Sequence, residues 1–265
     1  MKLNVLTVAL LATIMSVNAQ TAYVGRNVNS LLGAKVKVIE KSEALQQYGY
    51  DVFFNDSTLS YSSQYGADRK KGVYNTPYEL MVGREFDVIK IGKNDILSTV
   101  LVLQNSELGI VYYKYSAYYE HTCVLDLVSI PEDFYCSQIT KEIDKFENKT
   151  TYRTDLMEDI SFTKVEDGNN TRIYMSLETR GSTLNVGVSG VKILLDNGDV
   201  LNFNTDIDVK SGKGSGWVYR AFIPLDNETI DILTQHSITD FRLYIYDRNV
   251  KNGEKFKQLL ICLDN

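Results

Sequence analysis

The residues that could carry chemistry are concentrated between positions 121 and 136, which include His121, Cys123 and Cys136. A nucleophilic cysteine needs a histidine within hydrogen-bond reach and a third group that orients that histidine. On one strand, His121 and Cys123 would share a face at a separation of about 6–7 Å, which is longer than a hydrogen bond. No signature of a cysteine hydrolase surrounds either cysteine. We therefore predict no catalytic residue in this stretch.

The same three side chains could also be metal ligands. A zinc site needs three or four close ligands, and a fourth one, His236, would have to come from the other half of the chain. The spacing matches no usual zinc knuckle. No acidic stretch has the pattern of the twelve-residue calcium-binding loop, which needs a central glycine and a terminal glutamate. We therefore predict no metal and no cofactor.

A disulfide bond between Cys123 and Cys136 is another interpretation of this stretch. Pro131 provides a bend between them, and closing a loop of this length would stabilise the fold by about 3 kcal/mol. Such a bond requires an oxidising compartment. The alternative is that all three cysteines are buried thiols, and Cys262, within the apolar run 259–263, is expected to be one. A different pairing of the three cysteines also stays open.

The N-terminal segment 1–19 has the composition of a secretory signal peptide. Lys2 precedes an apolar run that ends near Met15, and Val17 and Ala19 occupy the −3 and −1 positions of a cleavage site. The run is shorter than the ~20 residues of a spanning helix, and no later segment is long and apolar enough. We therefore expect a secreted or periplasmic protein, or one at the cell surface, with no transmembrane segment after signal cleavage.

The charge of the chain argues against two classes of partner. The formal net charge is −6, and the densest basic stretch is the short run 69–71. Sequence-independent binding of nucleic acid depends on lysines and arginines that neutralise phosphates. Adhesion to anionic lipid depends on the same charges. We expect no nucleic-acid partner, and a glycan or another protein of unknown identity as the partner.

Most of the chain alternates apolar and polar residues, which is the pattern of half-buried strands. The clearest examples are the segments 36–39, 86–91, 172–177 and 241–246. Asn197 and Gly198 lie between two such segments. Because both residues tolerate a positive φ, they predict a hairpin with a type I′ turn.

Two short helices interrupt this pattern. The first is predicted over Ser42–Tyr48, with Ser42 as N-cap and Gly49 as the stop signal. The second is predicted over Asn227–His236, with an acidic or amide residue as its cap. His236 would lie in the last helical turn, where it interacts favourably with the helix dipole. This structural role is preferred to a catalytic one.

These patterns predict a mainly β protein made of two small antiparallel β-barrel or β-sandwich domains, the second with one packed helix. The charged segment Lys141–Lys149 lacks strand alternation and is the predicted linker, so the domains are expected at 20–143 and 147–265. The pattern of residues 32–39 is echoed at 82–89. An internal duplication of the N-terminal domain and chance similarity between strands both remain open.

Several strand and turn segments resemble exported proteins of gut Bacteroidetes that have no assigned activity. The segments are 83–89, 119–121, 131–136, 181–187, 216–219 and 241–247. The resemblance covers most of the mature chain and implies a bacterial, exported protein. It supplies no catalytic residue.

Aromatic side chains are the best candidates for ligand contacts. The segment Tyr48–Tyr78 combines tyrosines with serines and glycines, which is the composition of adaptable recognition surfaces. Tyr61, Tyr65 and Tyr74 are the contacts predicted there, although they could instead cover the sheet. Trp217 is the single tryptophan, and it either packs in the core or stacks on a sugar ring.

The glycine-rich loop Ser211–Gly216 does not indicate a phosphate site. Its glycines are misspaced for a P-loop, and a strand follows it where a P-loop needs a helix. A hairpin or sheet-to-sheet loop is the better interpretation. The sequence as a whole predicts a non-enzymatic binding or interaction module. The alternative is a hydrolase whose carboxylates converge only in the fold.

Overall fold

The computed structural model describes residues 20–93, 98–212 and 216–265, so the predicted signal peptide at 1–19 lies outside the described residues. The described chain is mainly β, as predicted, and contains two antiparallel sheets. No described helix is long and apolar enough to cross a membrane. The chain divides into two compact units. The first comprises 20–23 and 33–130, and the second comprises 24–32 and 131–265.

The first unit is built on a seven-stranded sheet. Its strands are β1 (Gln20–Thr21), β2 (Lys35–Val38), β3 (Phe53–Phe54), β4 (Glu85–Lys93), β5 (Ser98–Asn105), β6 (Gly109–Ser116) and β7 (Leu125–Ser129). They lie in the order β1-β7-β2-β4-β5-β6-β3. Buried aromatic residues, among them Phe53, Phe86 and Tyr113, fill the core of this unit.

Two single-turn helices lie between the strands of the first unit, α1 (Glu43–Gln46) and α2 (Tyr78–Met81). The first confirms the helix predicted after Ser42, although it is shorter than expected. Gly49 follows it with a φ of +59°, a conformation that glycine adopts without steric cost. The sequence did not predict α2, which begins directly after Pro77.

The two echoed segments of the first unit pair with each other. Strands β2 and β4 are antiparallel neighbours. The backbone N–H of Gly33 donates to the carbonyl of Val88 at 2.9 Å, and the N–H of Gly83 donates to the carbonyl of Val38 at 3.0 Å. Gly33 and Gly83 occupy equivalent positions of the two segments, and so do Val38 and Val88. The two segments therefore make reciprocal hydrogen bonds at equivalent positions, and the internal duplication stays a prediction.

The second unit is built on a nine-stranded sheet and two helices. The strands are β8 (Thr140–Asp144), β9 (Lys149–Arg153), β10 (Ile160–Asp167), β11 (Asn170–Gly181), β12 (Ser189–Leu195), β13 (Val200–Ser211), β14 (Trp217–Leu225), β15 (Ile238–Leu243) and β16 (Tyr246–Asn249). The helices are α3 (Asn227–Gln235) and α4 (Gly253–Asp264). The strand order is β16-β15-β12-β13-β14-β11-β10-β9-β8.

Strand β13 joins the two halves of this sheet. Its first half pairs with β12, and its second half, from Ile207 onward, pairs with β14. The inner faces of both halves and the two helices share one buried core, which includes Phe162, Met175, Phe241 and Leu260. This arrangement is typical of a sandwich-like unit.

The predicted linker is a hairpin. Residues within Lys141–Lys149 belong to β8, to β9 and to the turn between them, and β8 pairs with β9 along its whole length. The boundary between the two units lies instead at Ile130 and Pro131. The segment did not show strand alternation because the side chains of β8 are exposed on both faces of the sheet edge.

The second unit contains two helices, so the prediction of one helix is wrong. The predicted one is confirmed as α3, and the carboxylate of Asp226 caps it by accepting a hydrogen bond from the Thr229 N–H at 2.8 Å. The unpredicted one, α4, contains the apolar run 259–263. Its large buried apolar residues are Phe256, Leu259, Leu260 and Leu263, which have the spacing of one helix face.

Two turns in the second unit differ from the prediction. The hairpin between β12 and β13 is confirmed, but its turn closes with the Gly198 N–H on the Leu195 carbonyl, and only Gly198 in it has a positive φ. A type I′ turn needs positive φ at both central residues, so that prediction is wrong.

The second difference lies in the strand predicted over 241–246. The chain turns at Tyr244, which has a φ of +56°, and Leu243 pairs with Tyr246 across a tight hairpin. The turn itself contains no glycine or asparagine that would have signalled it. It is held in place by a residue distant in the sequence, since the Tyr244 N–H donates to the carbonyl of Gly190 at 3.0 Å.

The glycine-rich loop connects two antiparallel strands, as predicted. Ser211 at the end of β13 pairs with Trp217 at the start of β14. Residues 213–215 of the loop lie outside the described residues. A strand follows the loop, so the helix N-terminus of a P-loop is not present at this point of the described chain.

Candidate functional site

The three cysteines follow the third alternative, a pairing other than Cys123 with Cys136. Cys136 forms a disulfide bond with Cys262, and Cys123 is a free thiol. The predicted Cys123–Cys136 pairing is therefore wrong, and so is the expectation that Cys262 is a free buried thiol. Cys136 lies in a turn of the second unit that packs against α4, and this contact spans 126 residues of sequence. Spacing in the sequence favoured the nearer pair, Cys123 and Cys136. A contact between residues as far apart as Cys136 and Cys262 leaves no local pattern in the sequence.

Cys123 does not have the environment of a nucleophile. Its Sγ atom donates to the carbonyl of Leu125 at 3.7 Å. Burial raises the pKa of the thiol, whereas a reactive cysteine needs a lowered pKa. His121 instead packs its ring edge-on against Tyr119, with 5.8 Å between the ring centroids.

His236 follows α3 and does not lie in its last turn. Its Nδ1 atom is 3.2 Å from the carboxylate of Asp196, which also accepts a hydrogen bond from the Ser237 N–H at 3.1 Å. The histidine therefore ties the end of the helix to the hairpin after β12. Across the described residues, no three histidine, cysteine, aspartate or glutamate side chains are grouped closely enough to hold a metal ion.

A groove in the first unit is the best candidate for a binding site. It has a volume of about 560 Å³, and we call it the tyrosine groove. Its lining residues come from the end of α1 and from the segment that leads into α2: Gln46, Gln47, Tyr48, Gly49, Gly72, Val73, Tyr74, Asn75, Thr76, Pro77, Tyr78 and Glu79.

Backbone pairing at the base of the groove joins its two walls. The N–H of Tyr50 donates to the carbonyl of Thr76 at 2.8 Å, and the N–H of Thr76 donates to the carbonyl of Tyr50 at 2.9 Å. The side-chain amide of Asn75 donates to the carbonyl of Tyr48 at 2.9 Å. Gly49 permits this close approach, because a Cβ atom there would lie 2.1 Å from the carbonyl oxygen of Thr76.

Buried polar side chains support the base from below. The hydroxyl of Thr76 donates to the carbonyl of Phe53 at 3.2 Å. The side-chain amide of Gln64 donates to the carbonyl of Asp51 at 3.0 Å. Thr76 and Gln64 are both buried, so these hydrogen bonds are protected from water. The groove is therefore held in shape before any ligand binds.

Tyrosine rings line the groove and its base. The side chains of Tyr48 and Tyr74 belong to residues that are 61% and 52% exposed. Tyr78 is half-buried and stacks on Tyr50, with 5.8 Å between the centroids and 18° between the planes. The hydroxyl of Tyr50 donates to the carbonyl of Ile39 at 2.7 Å, and burial raises the pKa of Tyr50 far above its ordinary value. Tyr50 is thus structural, while Tyr48 and Tyr74 present aromatic surface to the solvent.

Polar side chains also line the groove: Glu79 contributes a carboxylate, and Gln46, Gln47 and Asn75 contribute amide groups. Each of these amides donates one hydrogen bond to a nearby backbone carbonyl and keeps its side-chain oxygen and a second N–H for a ligand. Amides and carboxylates form hydrogen bonds with hydroxyl groups, and aromatic faces pack against apolar surface. A concave site with rings and a few hydrogen-bonding groups has the chemistry needed to hold a polyhydroxylated ligand with apolar C–H faces.

The structure brings one of the predicted tyrosines into this site. Tyr74 lines the groove, whereas Tyr61 and Tyr65 are not among its described lining residues. Tyr61 is exposed but lies under the guanidinium group of Arg69, at 4.2 Å from the ring centroid. The hydroxyl of Tyr65 donates to the carbonyl of Leu108 at 3.0 Å, which indicates a structural role.

Trp217 lies in the second unit at the start of β14. It is half-buried and packs against the core of that unit, opposite Gly181 on the neighbouring strand. This packing favours the core role over a sugar platform. Sequence reasoning did not assign Gln46, Gln47 or Glu79 to a site, and it placed Tyr48 in the recognition segment without naming it as a contact. The available signals were Gly49 and Pro77, which mark the turns that shape the two walls.

Comparison with known proteins does not add to this geometry: no family model, no curated protein and no solved structure matches the chain. The function is therefore argued from the chemistry of the site.

Proposed function

We propose that the chain is an exported, non-enzymatic binding module that holds a glycan in the tyrosine groove. The observation that carries this proposal is the exposure of two aromatic rings, Tyr48 and Tyr74, in a groove lined by amide side chains. Each ring can pack on the C–H face of a sugar, and the amides can pair with its hydroxyl groups. Tyrosine supplies such contacts at a low cost in side-chain entropy, because it has two rotatable bonds.

The rigidity of the groove supports binding of a ligand without rearrangement. Its walls are joined by the Tyr50–Thr76 backbone pair and by the Asn75–Tyr48 hydrogen bond. A site that is ordered beforehand loses less conformational entropy when a ligand binds. The ligand then needs only to place its rings against the two exposed tyrosines.

The carboxylates of the groove favour binding over hydrolysis. Glycoside hydrolases place two carboxylates on either side of the scissile bond, about 5–9.5 Å apart. Among the described lining residues of the groove, Glu79 provides the single carboxylate. The alternative of a hydrolase with converging acids is therefore the weaker proposal for this site.

Two observations support export. The N-terminal segment 1–19 has the sequence features of a signal peptide. The Cys136–Cys262 disulfide bond suits an oxidising compartment such as the periplasm or the cell exterior.

The test is a binding screen followed by mapping of the site. Native affinity electrophoresis of the mature chain in gels that contain soluble neutral polysaccharides should show retardation by at least one polymer. Amide NMR with oligosaccharides of that polymer should then shift the side-chain signals of Gln46, Gln47 and Asn75. No retardation in any gel would overturn the proposal. So would shifts confined to the second unit.

A further inference from the structure

The charges in and around the tyrosine groove bear on the class of glycan that it accepts. Of the twelve described lining residues, Glu79 alone carries a formal charge. Glu40 provides a second carboxylate near the groove base. Burial and the neighbouring Tyr78 are the larger causes of the raised pKa of Tyr50, and the charges of Glu40 and Glu79 raise it further. Both carboxylates therefore make the electrostatic potential at the base of the groove more negative.

Three lysines, Lys41, Lys70 and Lys71, lie close to the groove in the chain. The ammonium group of Lys41 donates to the carbonyl of Gly49 and lies 4.8 Å from the centroid of the buried Tyr50 ring, so at the base it opposes the charge of the neighbouring Glu40. Lys71 pairs with Asp68 at 3.2 Å, so its charge is matched by a carboxylate of its own turn. None of the three lysines is among the described lining residues, so Glu79 is the charged group that a ligand in the groove would meet.

We infer that the groove selects neutral glycans over anionic ones, with Glu79 as the residue that sets this specificity. The inference rests on the proposed function. A carboxylate accepts strong hydrogen bonds from the hydroxyl groups of a neutral sugar. A uronate or sulfate group in the same place would face Glu79 as a like charge, and that repulsion is a means of rejecting the wrong ligand.

The test uses pairs of polymers that share a backbone and differ in charge. Suitable probes are dextran with dextran sulfate, and hydroxyethyl cellulose with carboxymethyl cellulose, each in native affinity gels at low and high salt. The neutral member of a pair that is bound should bind the protein about tenfold tighter than its anionic counterpart, the difference expected for one charged contact. Because the repulsion is screened, added salt should reduce this preference.

Three variants assign the effect to Glu79. Glu79→Gln should weaken binding of the neutral polymer about three- to tenfold, since it replaces a charged acceptor with a neutral one. Glu79→Lys should shift the preference towards the anionic polymer. Glu43→Gln is the matched control, because Glu43 is exposed on α1 but is not among the described lining residues. It should leave both affinities unchanged.

The outcomes separate this inference from the function on which it rests. Equal or tighter binding of the anionic polymer by the wild type, lost in Tyr48→Ala/Tyr74→Ala, would overturn the charge selectivity and leave the glycan site standing. A preference for the neutral polymer that Glu79→Gln and Glu79→Lys leave unchanged would overturn the role of Glu79. If no neutral or anionic polymer binds, the proposed function fails and this inference fails with it.

Discussion

The side-chain amide of Asn75 donates a hydrogen bond of 2.9 Å to the backbone carbonyl of Tyr48. Tyr48 follows α1 and Asn75 precedes α2, so this bond joins two segments that are separate in the sequence. It also fixes the backbone beneath the most exposed ring of the tyrosine groove. The shape of the groove therefore depends on an amide side chain as well as on the backbone pairing at its base.

The first prediction concerns this amide. Asn75→Ala should lower the free energy of unfolding by about 1 kcal/mol, the usual contribution of such a hydrogen bond. It should also speed hydrogen exchange at the neighbouring Tyr50 amide. The control is Asn202→Ala, because the Asn202 amide donates to the carbonyl of Val200 within its own strand. Unchanged exchange at Tyr50 in Asn75→Ala would contradict the role given to this bond.

The second prediction concerns the glycine at the base of the groove. Gly49→Ala places a Cβ atom 2.1 Å from the Thr76 carbonyl oxygen, so the two walls must separate. We expect a loss of about 2–4 kcal/mol in the free energy of unfolding, from overlap together with backbone strain.

The control for this change is Gly72→Ala. Gly72 also lines the groove and has a φ of +79°, but a Cβ atom there would meet nothing within 4 Å. Its cost should be the backbone strain alone, about 1–2 kcal/mol. Chemical denaturation followed by far-ultraviolet circular dichroism compares the two variants. Equal losses would show that the close approach to Thr76 has no energetic consequence.

The third prediction tests the disulfide bond. Cys136→Ser/Cys262→Ser should lower the free energy of unfolding of the second unit by about 2–5 kcal/mol, because the bond joins positions 126 residues apart. Trp217 packs on the core of this unit, so its fluorescence reports the transition. Cys123→Ser is the matched control and should leave the free energy of this transition unchanged. Alkylation of three thiols in the unreduced protein would show that the bond does not form.

The fourth prediction follows from the raised pKa of Cys123. Only the thiolate reacts with iodoacetamide, and burial lowers the thiolate fraction at a given pH. The folded protein should therefore be labelled more slowly than the urea-unfolded protein at pH 8. The rate in the folded state should continue to rise above about pH 9, where an ordinary thiol is already levelling off. A rate that is half-maximal near pH 8.5 would mean that the thiol is unperturbed.

The parts of the fold that could be predicted from the sequence are those with local causes. Alternation indicated the strand content, and Asp226 and Ser42 marked the starts of two helices. These signals depend on near neighbours in the chain, so they survive without knowledge of the tertiary structure.

Two of the errors have non-local causes. Tyr244 adopts a positive φ because Gly190 accepts its N–H, and Cys136 finds Cys262 because α4 packs beside it. In both cases the deciding partner is distant in the sequence, where no local pattern can signal it. Helix α4 was missed for a different reason, because the unbroken apolar run 259–263 hides its helical period.

The candidate site could be predicted in part. The abundance of tyrosine between positions 48 and 78 indicated a recognition surface, and Tyr74 lies in the groove. Tyr61 has the same composition around it but is covered on one side by Arg69. Which tyrosines share a groove depends on the pairing of Tyr50 with Thr76, and no sequence pattern signals that pairing.

The central claim is that Tyr48 and Tyr74 together hold a glycan. Isothermal titration with the oligosaccharide identified by the screen tests it directly, with Tyr61→Ala as the control because Tyr61 is 59% exposed in the same unit. We predict that Tyr48→Ala/Tyr74→Ala raises the Kd about 100-fold, as expected for two contact residues at a binding hot spot. Tyr61→Ala should change the Kd by no more than about twofold. An unchanged Kd in the double variant, or an equal loss in Tyr61→Ala, would contradict the claim.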